Sequence, residues 1–99
     1  MIIRVSEAHV APDHIEEFLE QLHALVADFP TRYDGLVSHE ILTDMGDPGR
    51  IQYVSRWTDQ IALIAYAGEA WAHDPVTFPD EDRYLTTPLT LRHFAITTI

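Results

Sequence analysis

Apolar residues follow two rhythms along the chain. Residues 2–10 carry β-branched side chains that partly alternate with polar ones, the period-two pattern of a half-buried strand. Pro12 suits the first turn of a helix, where a missing N–H costs nothing. From there Ile15, Phe18, Leu19, Leu22, Val26 and Phe29 recur at helical spacing, with Glu16, Glu17, Glu20 and Asp28 between them. Pro30 is the expected stop. Gly35 opens a second strand, "LVSHEILT". The turn-rich "DMGDPG" then leads into "RIQYVSRW", which makes the return strand of a hairpin. Thr58 and Asp59 can cap a second helix over residues 60–72, with Ile61, Ile64, Ala65, Gly68 and Trp71 on one face. A long run of turn-formers, "HDPVTFPDEDRYLTTP", precedes a last strand in "LTLRHFAITT".

The order β-α-β-β-α-β predicts an α+β, ferredoxin-like fold: a four-stranded antiparallel sheet with both helices on one face. Residues 1–99 are expected to form one domain, as their number suits. Alternation places Ile51, Tyr53, Ser55 and Trp57 on one face of the third strand, with Gln52, Val54 and Arg56 on the other. In the second strand it places Val37 and Ile41 on one face, Leu36 and Leu42 on the other. A sheet that is apolar on both sides needs a second cover, and a homodimer packed sheet against sheet would supply it. The segment from His73 to Pro88 is expected to lie over a pocket or across that partner.

Charge narrows the choice of partner. Sixteen acids face six arginines, giving a formal net charge of -10. That charge repels phosphate backbones and anionic membranes, so neither nucleic acid nor membrane is an expected partner. The triplet Asp80-Glu81-Asp82 reads as a solvated loop. There is no cysteine, hence no disulfide and no thiol chemistry. The opening residues lack a basic segment, a long apolar segment and a cleavage site, so a cytoplasmic location is expected.

Several segments in sequence make the chain similar to the antibiotic biosynthesis monooxygenase family of small dimeric α+β barrels. They are the first strand before "APDHIEEF", then "DGLVSHE", "IQYVSRWTDQIAL", "AGEAW" and the closing "RHFAI". The junction Trp57-Thr58-Asp59 is the most telling piece. The resemblance implies a dimer with one pocket per protomer, between sheet and helices. It also implies a range of chemistry: cofactor-free quinone-forming oxygenases, heme-degrading enzymes, isomerases and members without known activity. A shared fold does not choose among these.

Candidate residues carry a functional and a structural alternative each. Trp57 matches a pocket tryptophan of the quinone-forming relatives, or is simply core. Tyr53 stands where those relatives have an asparagine; it could donate a hydrogen bond to substrate, or merely span core and water. Glu7 and Glu40 fall on the pocket face if alternation runs from Ile3 and from Leu36. There they could be general bases of raised pKa, or ion pairs with Arg4, Arg56 or Arg92. His93 is the better placed of the strand histidines. In the heme-degrading pattern Tyr66 takes the place of a tryptophan and Glu7 that of an asparagine, while His73 falls near the histidine. Specific heme binding is therefore not expected, and His73 also reads as a helix-end histidine favoured by the dipole. No metal-ligand spacing, dinucleotide fingerprint or phosphate loop occurs, so no metal and no cofactor are expected.

These readings converge on a homodimer that takes a small apolar or aromatic molecule. The expected activity is a cofactor-independent monooxygenase with Glu40, Glu7 or His93 as base, Tyr53 as hydrogen-bond donor, and Trp57, Tyr66 and His73 lining the site. An isomerase or cyclase using the same base, or a non-catalytic binding module, are the alternatives.

Overall fold

The computed structural model describes residues 1–99. Strand β1 (Ile2–His9) leads through one 3-10 turn, Pro12–His14, into helix α1 (Ile15–Val26) and the single-turn helix α2 (Phe29–Arg32). The hairpin β2 (Leu36–Asp44) and β3 (Asp47–Trp57) follows, then α3 (Gln60–Ala67) and β4 (Thr90–Ala95). The sheet is antiparallel in the order β2-β3-β1-β4, as the split β-α-β arrangement requires.

Local chemistry sets where the elements end. Pro12 and Asp13 start the first helical segment, and Glu16 and Glu17 place negative charge where the peptide dipoles favour it. Phe18, Leu22 and Val26, four residues apart, form its buried stripe. Contrary to expectation, Pro30 does not stop α1. The helix ends before it, and Pro30 sits in the first turn of α2, where no N–H is needed. Helix α3 begins under a side-chain cap, with Asp59 Oδ1 accepting the Ala62 N–H at 2.9 Å. It stops at Ala67 rather than Ala72, because Gly68 turns to φ 87° and breaks the ladder. A Cβ on Gly35 would collide with Ala62, so glycine is what lets the start of β2 approach α3.

Register decides which side chains face the helices. Along β1 and β3 the pairing is unbroken, and it sets Arg4 opposite Ser55, Ser6 opposite Tyr53 and Ala8 opposite Ile51 on the helix-covered face. Ile3, Val5 and Glu7 therefore face the other way. Between β2 and β3 the register slips by one at Val37: Leu36 lies opposite Trp57, but Ser38 lies opposite Arg56. This bulge reverses the alternation beyond it. Leu36, His39 and Ile41 share the helix face, and Glu40 and Leu42 take the outer one, which corrects the assignment read from unbroken alternation.

The core lies between helices and sheet, around Phe18, Leu22, Val26 and Phe29 above and Ala8, Ile51 and Tyr53 below. Two further core rings, Phe78 and Tyr84, come from the long connection before β4. Phe18 packs edge-on to both, with centroids at 5.5 and 6.2 Å. The connection is tied down by Ala11 N–H to Tyr84 O, Thr86 N–H to His9 O and the Tyr84 hydroxyl to Glu17 Oε1 at 2.8 Å. On the outer sheet face Ile3, Val5 and Val54 are half-buried, while Leu42 and Phe94 are exposed. No helix is long and apolar enough to cross a membrane.

Candidate functional site

A cavity lies where the connection crosses the sheet. Arg4, Ser6 and Ala8 of β1 and Ile51 and Tyr53 of β3 form its floor. Helix α1 contributes apolar side chains, α3 contributes Tyr66, and Val76, Glu81 and Leu89 of the connection form the roof. Its volume is about 20 Å³, room for a single water. A substrate would have to move the roof aside.

Arg4 is a buried cation on this floor. Its Nη1 donates to Trp71 O and shares a 3.1 Å hydrogen bond with His93 Nε2; its Nη2 donates to Asp74 O at 3.0 Å. It makes no ion pair. Burial pulls its pKa below the usual arginine range, opposed by Tyr66, whose ring centroid lies 5.8 Å away. The arginine thus fastens the first part of the connection to the sheet.

Glu81 hangs into the same cavity from the roof. Asp80 takes a left-handed conformation at φ 61° and starts the 3-10 turn Glu81–Tyr84. Three residues per turn then set Glu81 and Tyr84 on one inward face, beside the buried ring of Phe78. Glu81 is 6% exposed, and its one hydrogen bond is to the Phe78 N–H at 3.3 Å. Burial pushes its carboxyl up to about 7, with the Phe78 bond pulling weakly the other way. A carboxyl poised near neutrality in a closed, largely apolar site can accept a proton from a bound acid and return it.

Two phenols complete the site. Tyr66 is stacked on Trp57 with centroids 4.7 Å apart, and burial pushes its hydroxyl up to about 12. Burial also raises Tyr53 above the usual phenol range. Both stay protonated and serve as hydrogen-bonding groups. The Tyr53 hydroxyl lies 2.8 Å from His39 Nδ1, beside a groove of about 230 Å³ between α1 and β2 that Glu40 and His23 also line.

The other candidates fall elsewhere. Trp57 is fully buried behind Tyr66, its indole N–H donating to Ser55 Oγ at 2.9 Å, and it does not border the cavity. Glu7 is not on the pocket face. On the outer face its carboxylate accepts from Gln52, Arg50 and His9, with Gln52 at 2.7 Å and Arg50 at 2.9 Å. Glu40 does not border the cavity either, because the bulge at Val37 turns its strand position outward; its side chain is exposed at the groove. His93 supports Arg4 and packs edge-on against Trp71 at 4.9 Å. Its Nε2 must accept from the guanidinium, and burial and then Arg4 lower its pKa, so it stays neutral. His73 is exposed on the turn after α3 and does not line the cavity. No three His, Asp or Glu side chains converge on a common point that could hold a metal.

Arg4 and Glu81 escaped the sequence reading. Arg4 was legible as the in-phase neighbour of Ser6 and Ala8. Glu81 is not the solvated residue expected of Asp80-Glu81-Asp82. Its only signal is the spacing of three between Phe78, Glu81 and Tyr84.

A ferredoxin-like α+β fold with a cavity between sheet and helices defines the structural class. Residues 1–73 match the antibiotic biosynthesis monooxygenase family, and the chain belongs to it. Among solved structures it resembles an antibiotic biosynthesis monooxygenase with a TM-score of 0.78 and 17% identity, over 99% of this chain and 100% of that one. A conserved protein from Methanosarcina mazei Go1 superposes with a TM-score of 0.75 and 17% identity, over 95% and 91% of the two chains. A protein from Pseudomonas aeruginosa gives a TM-score of 0.73 and 21% identity, over 98% and 94%. At these identities the likeness carries the fold and no activity. Comparison with curated proteins gave no match.

Proposed function

We propose that the chain is a homodimeric, cofactor-independent monooxygenase that oxidises a small aromatic or polyketide-like molecule in this cavity. One observation carries the reading: Glu81 is buried on the cavity roof with the Phe78 N–H as its one donor, and that burial pushes its carboxyl up to about 7, where a base can work. It takes the part expected of Glu7, Glu40 and His93. The substrate has a methylene group made acidic by a neighbouring phenol or carbonyl. Glu81 takes one of its protons, and the carbanion gives an electron to molecular oxygen. Oxygen then bonds to the carbon, and water leaves. In balance, the methylene and one molecule of oxygen give a carbonyl and one molecule of water. Tyr53 and Tyr66 hold the substrate's oxygens and plane, and the closed roof keeps bulk water from the carbanion.

Belonging to the family supports the reaction type. The apolar side chains of the outer sheet face, Ile3, Val5 and Val54 with Leu42 and Phe94 exposed, support the dimer. We place the activity in the cytoplasm, in keeping with the absence of cysteine. An isomerase or cyclase that uses Glu81 as the same base without oxygen is the second reading.

Oxygen uptake with a panel of phenols and anthrones tests the proposal. Uptake should rise with a midpoint near pH 7 and be lost in Glu81→Gln. Turnover that consumes no oxygen favours the isomerase, and no turnover at all leaves a binding module. Light scattering should give twice the 11.3 kDa chain mass. The double substitution Leu42→Glu, Phe94→Glu should return the monomer; a monomeric wild type sinks the dimer.

A further inference from the structure

Arg4 keeps part of its guanidinium unspent. Of five N–H donors, three are engaged, by Trp71 O, Asp74 O and His93. The Nε–H and one Nη2–H have no partner in the chain. No buried side-chain nitrogen or oxygen is left without a partner, so Nε borders open space. Arg4 is itself only 3% exposed and lines the cavity. Nε and Nη2 form one edge of the planar fork, the edge that receives two coplanar oxygens side-on. No carboxylate pairs with this cation, although the chain holds sixteen acids. An aromatic plane, Tyr66, stands beside it.

We propose that Arg4 is an anion receptor on the cavity floor, and that the ligand is a planar monoanion presenting two coplanar oxygens to its Nε–Nη2 edge. Such an anion is a carboxylate, or the ionised form of an enol or phenol with an adjacent carbonyl. The inference rests on the cavity being the substrate site and deepens that reading by naming the substrate class. The ligand enters already ionised, its hydroxyl proton left with bulk water, so the Glu81 carboxylate stays free to take the methylene proton. The bonds from Nη1 and Nη2 to the backbone persist while Val76 and Leu89 move to admit the ligand.

Binding of simple probes to wild-type protein tests this without turnover. Salicylaldehyde has its hydroxyl next to its carbonyl, 4-hydroxybenzaldehyde has it opposite, and benzyl alcohol is neutral. The chain has no lysine side chain to form an imine with the aldehydes. Salicylaldehyde should bind as its phenolate, seen by absorbance, with its apparent pKa lowered by about one unit, a tenfold preference for the anion. The para isomer should bind about tenfold more weakly and benzyl alcohol not measurably. Arg4→Gln should weaken binding about tenfold or more, and Arg4→Lys should keep charge but lose the ortho-to-para preference. Displacement by benzoate assigns the carboxylate source, and its failure to displace assigns the enol or phenol source. Equal affinity for ortho, para and neutral probes, or no binding of any, overturns the proposal. Should the variants fail to fold by circular dichroism, the wild-type ranking decides alone. Ranked binding with no oxygen uptake sinks only the oxygenase reading. Oxygen uptake on neutral substrates unaffected by Arg4→Gln sinks only this one.

Discussion

Glu7 and Glu81 are almost equally shut off from solvent, at 7% and 6% exposure, yet their carboxyl groups are driven in opposite directions. Glu7 is covered by its partners, not by depth. It lies on the outer sheet face, where the Gln52 hydrogen bond leads in holding its pKa below the ordinary carboxylate value, with Arg50 and His9 adding to it. Glu81 is covered by depth. Its surroundings are aromatic and aliphatic, it has a single backbone donor, and burial drives its pKa up. The cation that could have compensated it, Arg4, is bound to backbone carbonyls instead. Burial alone therefore says nothing about whether a carboxylate is inert or reactive. The donors within reach decide it.

The largest effect should come from removing the cation on the Glu81 side. Arg4→Met leaves the carbonyls of Trp71 and Asp74 without their charged donor, and should cost about 3 kcal/mol of stability in urea unfolding. An unchanged urea midpoint would mean that Arg4 does not fasten the connection.

Next in size is Glu81→Gln, because a raised carboxyl pKa is a stability penalty with a defined pH window. Below its ordinary value of 4.5 the group is protonated in both states and costs nothing. Between that value and about 7 the unfolded chain ionises and the folded one does not, so stability falls as pH rises. The accumulated penalty is at most about 3 kcal/mol. Glu81→Gln should abolish this slope, matching wild type at pH 4 and exceeding it at pH 8, as read by urea midpoints across pH.

Glu7 should show the smaller, opposite slope. Its lowered pKa contributes stability that is present above 4.5 and is lost as pH falls through the folded value. Gln52→Ala should cost about 1 kcal/mol and raise the Glu7 pKa. Arg50→Ala, on a half-exposed side chain, should do less. If NMR titration finds the two carboxyls shifted in the same direction, the contrast between partners and depth fails.

Much of the architecture was legible because it depends on local rhythm. The apolar spacing of α1, the alternation of β3 and the order of elements follow from neighbours a few residues apart. Misreadings arose where a distant contact overrode a local cue. Pro30 reads as a helix stop but starts α2. Gly68 is compatible with a helix interior until its backbone turns left-handed. Val37 looks like any strand residue, yet as a bulge it moves Glu40 to the far side of the sheet. Tyr53 is set on the face of Trp57 by alternation alone, whereas Tyr66 came into view only through the family resemblance. Arg4 and Glu81 were not foreseen, since arginine in a strand and an acid in "PDEDRY" are ordinary surface residues until something covers them.

By itself the sequence determined two periods, two and 3.6, and hence which side chains travel together and in what order strands and helices come. It also carries enough of the family's pattern over residues 1–73 to establish membership. Only the tertiary structure decided which of the two strand phases lies beneath the helices. Alternation divides a strand into faces without saying which one is covered. That choice placed Arg4 inside and Glu7 outside. It was made by contacts across the chain, from Arg4 to the carbonyls of Trp71 and Asp74 and from Glu17 to Tyr84, separations no local pattern can encode.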